Sequence, residues 1–548
     1  MVSSEAPFQN HCITTVLAPA EPLSTVNSSE SMSRALFVSE IFSNIISYIS
    51  ADEVYVHTKN PPAFSRNTLY ALALTCRTFS EQALDALWES IESIIPLMKC
   101  GGVIISPNTT LGSDDHVIPT ESQLAIICRY ANRVRFLKMS FHDWPHPVQS
   151  FLQTLAYSSK VLMPNLRDLR VTCDLVHLLR PLLGPRLQRL SINVSTAVSY
   201  RRDLYFWQRI SLHMILRSLP TTCPSLESFD FNLDFSSRPD PWDAPLALPV
   251  SYAIKNLQKL RTVNVPAITK DALTYLGGLS SFTSIKTHLP TCSDLEHVFG
   301  SSRGHILFEN LESVDWKIAG WRDVEMFTCL WPRNIIAMSL RSEVQFDPGL
   351  LQVLFDSLHT REAFRNLQCI RLFELSPSLS TGLFQFVEIV ITIDTIRPLF
   401  YLSALRVVEF DTGSSISLNE DDLKEMAEAW PCLEVLLLNE TYGCHDPKPP
   451  GVTLAGVVRF VELCPRLTKL SINFTLNDVG KDFDFGNLHI LGSRASNTLE
   501  YLTLRSRAEE HVLTSHYSRL NMLVKKLFPR AKCRCQFISV DWFESLYA

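Results

Sequence analysis

The sequence has none of the short motifs that carry well-known chemistries. No Gly-x-Ser-x-Gly elbow, His-Glu-x-x-His pair or Walker loop occurs in its 548 residues, which excludes the hydrolases, zincins and P-loop enzymes that depend on them. Asp484-Phe485-Gly486 copies a kinase metal-binding triplet, but the Gly-rich phosphate loop, strand lysine and His-Arg-Asp loop are missing, so it reads as a connecting loop. His142 and His146 stand four apart with Pro145 between them, and a proline there removes the helix that would align two zinc ligands. Cys533-Arg534-Cys535 has one intervening residue instead of the two to four common at zinc sites, and Cys444-His445 has no second pair. We therefore assign no catalytic, cofactor-binding or metal-ligating residue, and expect no enzyme.

Other features are scarce as well. Lys and Arg are scattered singly or in pairs such as Arg201-Arg202 and Lys525-Lys526, and the formal charge is −6. Without a basic stripe, a nucleic-acid partner is not expected. Residues 1–20 lack a basic n-region and an unbroken apolar run, so they do not read as a secretory signal. The longest apolar stretch, 383–393, contains Glu388 and is far short of a membrane span. With no export signal, the fourteen cysteines read as reduced, mostly buried thiols, and the sequons at Asn27, Asn108, Asn193, Asn439 and Asn473 carry little meaning. The expected location is the cytoplasm, the nucleus or both.

What is present is core. The chain is 46% hydrophobic and 19% charged, a composition that folds. After a leader at 1–33 rich in Ser, Thr, Pro and Ala, residues 34–98 read as three short apolar helices. In the first, Ile41, Ile45 and Ile49 recur alongside Phe42 and Ile46, more apolar surface than a single packing stripe needs, so a second contact surface is expected. Residues 50–67 carry loop chemistry. The second helix is read over 69–75 and the third over 81–88, with Ser80 placed to cap it and Glu81 in its first turn. Gly101-Gly102, Pro107-Asn108 and Gly112-Ser113 mark a linker over 99–122.

Beyond the linker a motif recurs: apolar, two residues, apolar, one residue, apolar. Instances are Val134-Leu137-Met139, Leu166-Leu169-Val171, Leu187-Leu190-Ile192, Leu226-Phe229-Phe231 and Leu260-Val263-Val265. Leu311-Val314-Trp316, Ile335-Met338-Leu340, Leu367-Ile370-Leu372 and Leu405-Val408-Phe410 continue it, and Leu433-Leu436-Leu438, Leu467-Leu470-Ile472 and Leu499-Leu502-Leu504 close it. With a poor copy at Phe282-Ile285 there are thirteen units spaced by 21 to 39 residues, about 30 on average, as in an irregular leucine-rich repeat. Several units follow a Pro step, as in Cys223-Pro224-Ser225-Leu226, Trp430-Pro431-Cys432-Leu433 and Cys464-Pro465-Arg466-Leu467. The expected fold is α/β: a helical head, then a solenoid over 123–509 with parallel strands inside and helices outside. Residues 510–548 are expected to cap it. The repeat consensus puts Asn eight positions after the first Leu; Thr441 and Thr475 stand there instead, which predicts a loose solenoid.

The head resembles the F-box family, in particular the F-box-like proteins with leucine-rich repeats abundant in mushroom-forming fungi. The matching residues are Leu36, Glu40-Ile41, Ile45, Ile49, Leu69, Leu72, Cys76-Arg77, Phe79, Leu84 and Leu87-Trp88. The likeness continues at Leu97-Met98-Lys99-Cys100 and resumes over 130–137. It departs at Val38-Ser39-Glu40, where family members usually carry a proline. The resemblance implies a substrate-recognition subunit of an SCF-type cullin–RING ubiquitin ligase. Leu36, Phe37, Glu40, Ile41, Ile45, Leu84, Leu87 and Trp88 would then face a Skp-type adaptor while the repeats hold a protein target. The alternative is a repeat scaffold with no ligase association, and the helices could also serve only to cap the solenoid. On the repeats, side chains between the buried strand positions are the candidates for reading a target, because strand side chains alternate faces. They are Arg170, Asp230, Asp315, Arg341, Arg371, Glu409, Asn439, Asn473 and Arg505.

Overall fold

The Pro steps of the sequence are where helices end and strands begin. The computed structural model describes residues 44–46, 63–75, 77–103, 118–140, 146–158, 160–172, 176–195, 202–234, 243–289, 308–318, 334–342, 345–360, 364–374, 390–440, 451–475, 498–508 and 520–539. At three steps the same turn recurs. The amides of Cys223, Trp430 and Cys464 close their helices by donating to the Leu219, Met426 and Phe460 carbonyls. Proline follows and cannot continue the helix. Leu226, Leu433 and Leu467 then donate back to the Cys223, Trp430 and Cys464 carbonyls at 3.1–3.2 Å. That bond closes a β-turn whose second position suits proline, since the ring presets φ. Next, two successive amides reach the preceding repeat: Glu434 and Val435 donate to the Arg406 carbonyl, and Thr468 and Lys469 to that of Glu434. Neighbouring repeats are thus locked in register as the strand starts.

The strands are β1 (Ser90–Ile91), β2 (Phe136–Met139), β3 (Asp168–Thr172), β4 (Arg189–Ser195), β5 (Ser228–Asp234) and β6 (Thr262–Ala267). Next come β7 (Ser284–His288), β8 (Ser313–Ile318), β9 (Ala337–Ser342), β10 (Cys369–Glu374), β11 (Val390–Ile391) and β12 (Val407–Asp411). The last are β13 (Ser415–Ile416), β14 (Val435–Leu438), β15 (Lys469–Asn473), β16 (Tyr501–Ala508) and β17 (Lys532–Ser539). Fifteen form one sheet in chain order, while β11 and β13 pair separately. Among the described residues every strand pairing is parallel, so β2 to β3 reads Leu137 to Leu169 and β15 to β16 reads Leu470 to Leu502. The register shifts between Asn264 and Ala267 in the β6–β7 pair.

Each expected unit supplies one strand, and its apolar residues are buried. Helices cover the same apolar side: His146–Ser158 buries Val148, Phe151, Leu152 and Leu155, and Leu454–Leu463 buries Val457, Val458, Phe460 and Val461. Helix Glu420–Ala429 starts on a capping box, Asn419 accepting from the Asp422 amide while Asp422 accepts from that of Asn419. The architecture is therefore a leucine-rich-repeat-type α/β solenoid. Two strands extend it beyond the repeats of the sequence. Strand β1 pairs with β2, and β17 pairs with β16, Cys533 and Cys535 taking the rungs of Leu502 and Leu504.

The chain divides into two units, Met1–Glu89 and Ser90–Ala548. In the first, helices Ala63–Thr75 and Arg77–Glu89 pack around Ile46 and Leu69, joined by Leu72, Phe79, Ala86 and Leu87. Both helices start earlier than the sequence suggests. The first follows Pro61-Pro62 directly, residues that favour a helix start. The second already includes Phe79, which is needed in the small core, so Ser80 lies inside the helix and is not its cap. The leader, most of the first helix and the loop up to residue 62 lie outside the described residues.

Candidate interaction surface

Alternation along each strand sends one set of side chains into the core and the other to the opposite face. Parallel register turns the second set into rows. The central row runs Lys138, Arg170, Ser191, Asp230, Asn264, Lys286, Asp315, Ser339, Arg371 and Glu409. Seven of the ten are charged, and most find partners on neighbouring strands.

Asp168 accepts from Arg170 and Arg189, each at 3.0 Å. Asp230 gathers Ser191 at 2.9 Å, Asn232 at 2.8 Å and Asn264 at 2.7 Å. Asp315 lies between Lys286 at 3.4 Å and Arg341 at 2.9 Å, and the Arg341 guanidinium also sits 5.0 Å from the Phe373 ring centre. Arg371 reaches Glu409 at 2.9 Å. Burial pushes the Glu409 carboxyl above its usual range, and Arg371 opposes that rise. Arg170, Asp230, Asp315, Arg341, Arg371 and Glu409 thus share one face in a ladder of mixed sign.

Asn439, Asn473 and Arg505 sit differently: they are 1%, 9% and 3% exposed. Asn439 adopts φ 53°, in the left-handed region that Asn tolerates better than most residues. Its Oδ1 accepts from the Thr412 amide at 3.0 Å and its Nδ2 donates to the Ser414 carbonyl at 2.8 Å. The Arg505 guanidinium donates to the Asn439 carbonyl and to Gln536. Nearby, Glu374 accepts from the Phe346 amide at 2.7 Å and the Gly413 amide at 2.5 Å, and burial raises its pKa against those bonds. Together these groups tie the ends of β10, β12, β14 and β16. Asn439 does the turn-bonding work of the consensus Asn, six positions after Leu433 instead of eight. The Asn473 side chain borders a small cavity with Ile416, Leu418, Leu438, Val452 and Ile472, and its Oδ1 has no hydrogen-bond partner.

In the head, Leu36, Phe37, Glu40 and Ile41 lie outside the described residues. Ile45 is exposed while its neighbour Ile46 is buried. Leu84 is half-buried, Leu87 packs on the head's core and Trp88 is buried. The sequence reading missed Tyr70 and Leu74, which stand one turn apart on Ala63–Thr75 and expose 55% and 69% of their surface. Their i, i+4 spacing opposite the Leu69–Leu72 core side was the available signal.

Among the described residues no three His, Cys, Asp or Glu side chains form a metal-sized group, and no helix is long and apolar enough to cross a membrane. His146 is an exposed residue opening a helix, while His142, Cys444-His445 and Asp484-Phe485-Gly486 lie outside the described residues.

No protein-family model matches the chain, and no curated protein matches it. Among solved structures, a chain from the crystal structure of the Rad7 and Elc1 complex in yeast is 12% identical, with TM-score 0.33 over 88% of this chain and 94% of that one. Internalin C2 from Listeria monocytogenes is also 12% identical, with TM-score 0.19 over 63% and 91%.

Proposed function

We propose that this chain is the substrate-recognition subunit of an SCF-type cullin–RING ubiquitin ligase. Its head binds a Skp-type adaptor and its repeats hold a protein target. The observation that carries the reading is the head's division of its apolar residues. Ile46, Leu69, Leu72, Phe79 and Leu87 form a core, while Ile45, Tyr70 and Leu74 stay in water. Exposed apolar side chains on a unit this small call for a partner. The F-box-like residues Cys76-Arg77, Phe79 and Leu87-Trp88 suggest which one. The chain would do no chemistry itself, raising the effective concentration of the target near the charged conjugating enzyme by tethering both. Such a role belongs in the cytoplasm or nucleus.

Val38-Ser39, where a proline is usual, favours the second reading, a repeat scaffold that has lost the adaptor. Co-purification of the intact protein with the Skp-type adaptor separates the two. Capture that Ile45→Asp abolishes without lowering the melting temperature is expected. Failure of the folded wild-type chain to capture the adaptor removes the ligase role and leaves the scaffold.

A further inference from the structure

We propose that β2–β4 dock an extended, Asp- and Glu-rich segment of a partner protein, with Lys138, Arg167, Arg170 and Arg189 as its cationic seats. The inference deepens the proposed function, resting on the reading of this sheet face as the target surface.

Further along the face, charges alternate in sign and neutralise one another: Lys286, Asp315 and Arg341, then Arg371 and Glu409. Lys469 and Lys532 flank Tyr501 at 5.3 and 5.4 Å, where the negative ring face offsets them. At β2–β4 this balance is absent. Lys138 and Arg170 are register partners, so their backbones lie roughly 4.8 Å apart. Like charges set opposite each other weaken a sheet, and packing gives no reason to keep the pair.

Asp168 is the acid among these positions, and it is spent inward. Its side chain is 6% exposed beneath Arg170 and Arg189, which remain 59% and 54% exposed. The carboxylate therefore fixes two guanidinium groups without covering them. Each keeps further N–H donors turned to water, preorganised for carboxylates. Lys138 and Arg167 are exposed beside them.

A peptide fits better than a nucleic acid. Single strands bind on aromatic platforms, and the ring among these rungs, Phe136, is half-buried. Three cations on the strands, with Arg167 just before β3, fall short of a basic stripe.

The test uses the full-length protein and a fluorescein-labelled peptide of alternating Glu and Ser, about a dozen residues long so as to cross three strands. Fluorescence anisotropy should show binding that weakens as salt rises. Lys138→Glu with Arg170→Glu should weaken it at least about tenfold, and Lys138→Glu alone, which leaves the Asp168 cluster whole, about threefold. Lys424→Glu, on an exposed helix, should change nothing. Equal binding by the charge-reversal variants, by a Gln–Ser peptide or by oligo-dT overturns the proposal. Adaptor capture is measured on the same preparation. Peptide binding without capture ends the ligase reading and keeps this one; capture without peptide binding does the reverse.

Discussion

The two ends of the sheet carry the same alternation and meet opposite fates. In β3, Arg170 stands between Leu169 and Val171 and projects into water. In β15, Ser471 stands between Leu470 and Ile472 and is fully buried. One rung further on, Thr172 and Asn193 are half-buried, whereas Asn439, Asn473 and Arg505 are shut in. The difference lies beyond the strands. Past β10, the turns stack their own polar groups, with Glu374 holding the Gly413 amide, Asn439 holding Thr412 and Ser414, and Arg505 holding Asn439. A strand's alternation tells which side chains share a face. Whether that face is wet depends on what the following turns build over it.

Breaking the buried end should have the largest effect. Asn439→Ala removes the acceptor of the Thr412 amide and the donor to Ser414, and places a Cβ residue without a local bonding group at φ 53°. Each buried group left without a partner costs about 1–3 kcal/mol, so a loss of about 2–4 kcal/mol is expected in urea unfolding. Asn439→Gly relieves the backbone but not the lost bonds, and should recover only part of it. A loss below about 0.5 kcal/mol for Asn439→Ala would show that the turn stack does not hold this end together.

Glu374→Gln is expected to come next, at about 1–3 kcal/mol, because one of two acceptor oxygens becomes an NH₂ group facing an amide. It also carries a pH signature. Burial raises the Glu374 pKa above 4.5. Its proton-linked contribution is therefore fully present below that value and lost as pH rises through the raised one. The wild type should lose stability across that window relative to Glu374→Gln, so the gap between them should narrow as pH rises. Glu409 and Asp422, also raised by burial, titrate in both proteins and cancel in the comparison. A gap constant with pH would mean that Glu374 does not titrate differently on folding.

These contrasts mark how far the sequence could be read. Thirteen strands were legible because twelve carry an apolar triplet that the core requires and β7 carries part of one, Phe282 and Ile285. Strand β1 was not, having two residues and no triplet. Strand β17 was hidden because Cys533 and Cys535 stand where leucines would, a spacing that first suggests chemistry. Burial pushes the Cys535 thiol up to about 11, as befits a core residue. The ladder from Arg170 to Glu409 was legible from alternation alone. The role of Asn439 was not, because it depends on a left-handed backbone and on Thr412 and Ser414, a repeat away in sequence. In the head, the small core pulled Phe79 into a helix that local capping signals would have started later.

The open end gives the smallest expected effect. Arg170→Ala removes one of two partners of Asp168, but Arg189 still holds that carboxylate at 3.0 Å. The lost guanidinium was 59% exposed, and pairs in that setting contribute roughly 0–1 kcal/mol. Urea unfolding should therefore change by no more than about 0.5 kcal/mol, with the remainder screened by salt. Arg371→Ala removes a less exposed guanidinium, at 43%, and leaves Glu409 without another ion-pair partner among the described residues, so it should cost slightly more. A loss above about 1.5 kcal/mol for Arg170→Ala would make the Asp168 cluster a structural tie like that at Asn439. The first strands would then have a folding reason to keep their cations, and the contrast between the two ends would disappear.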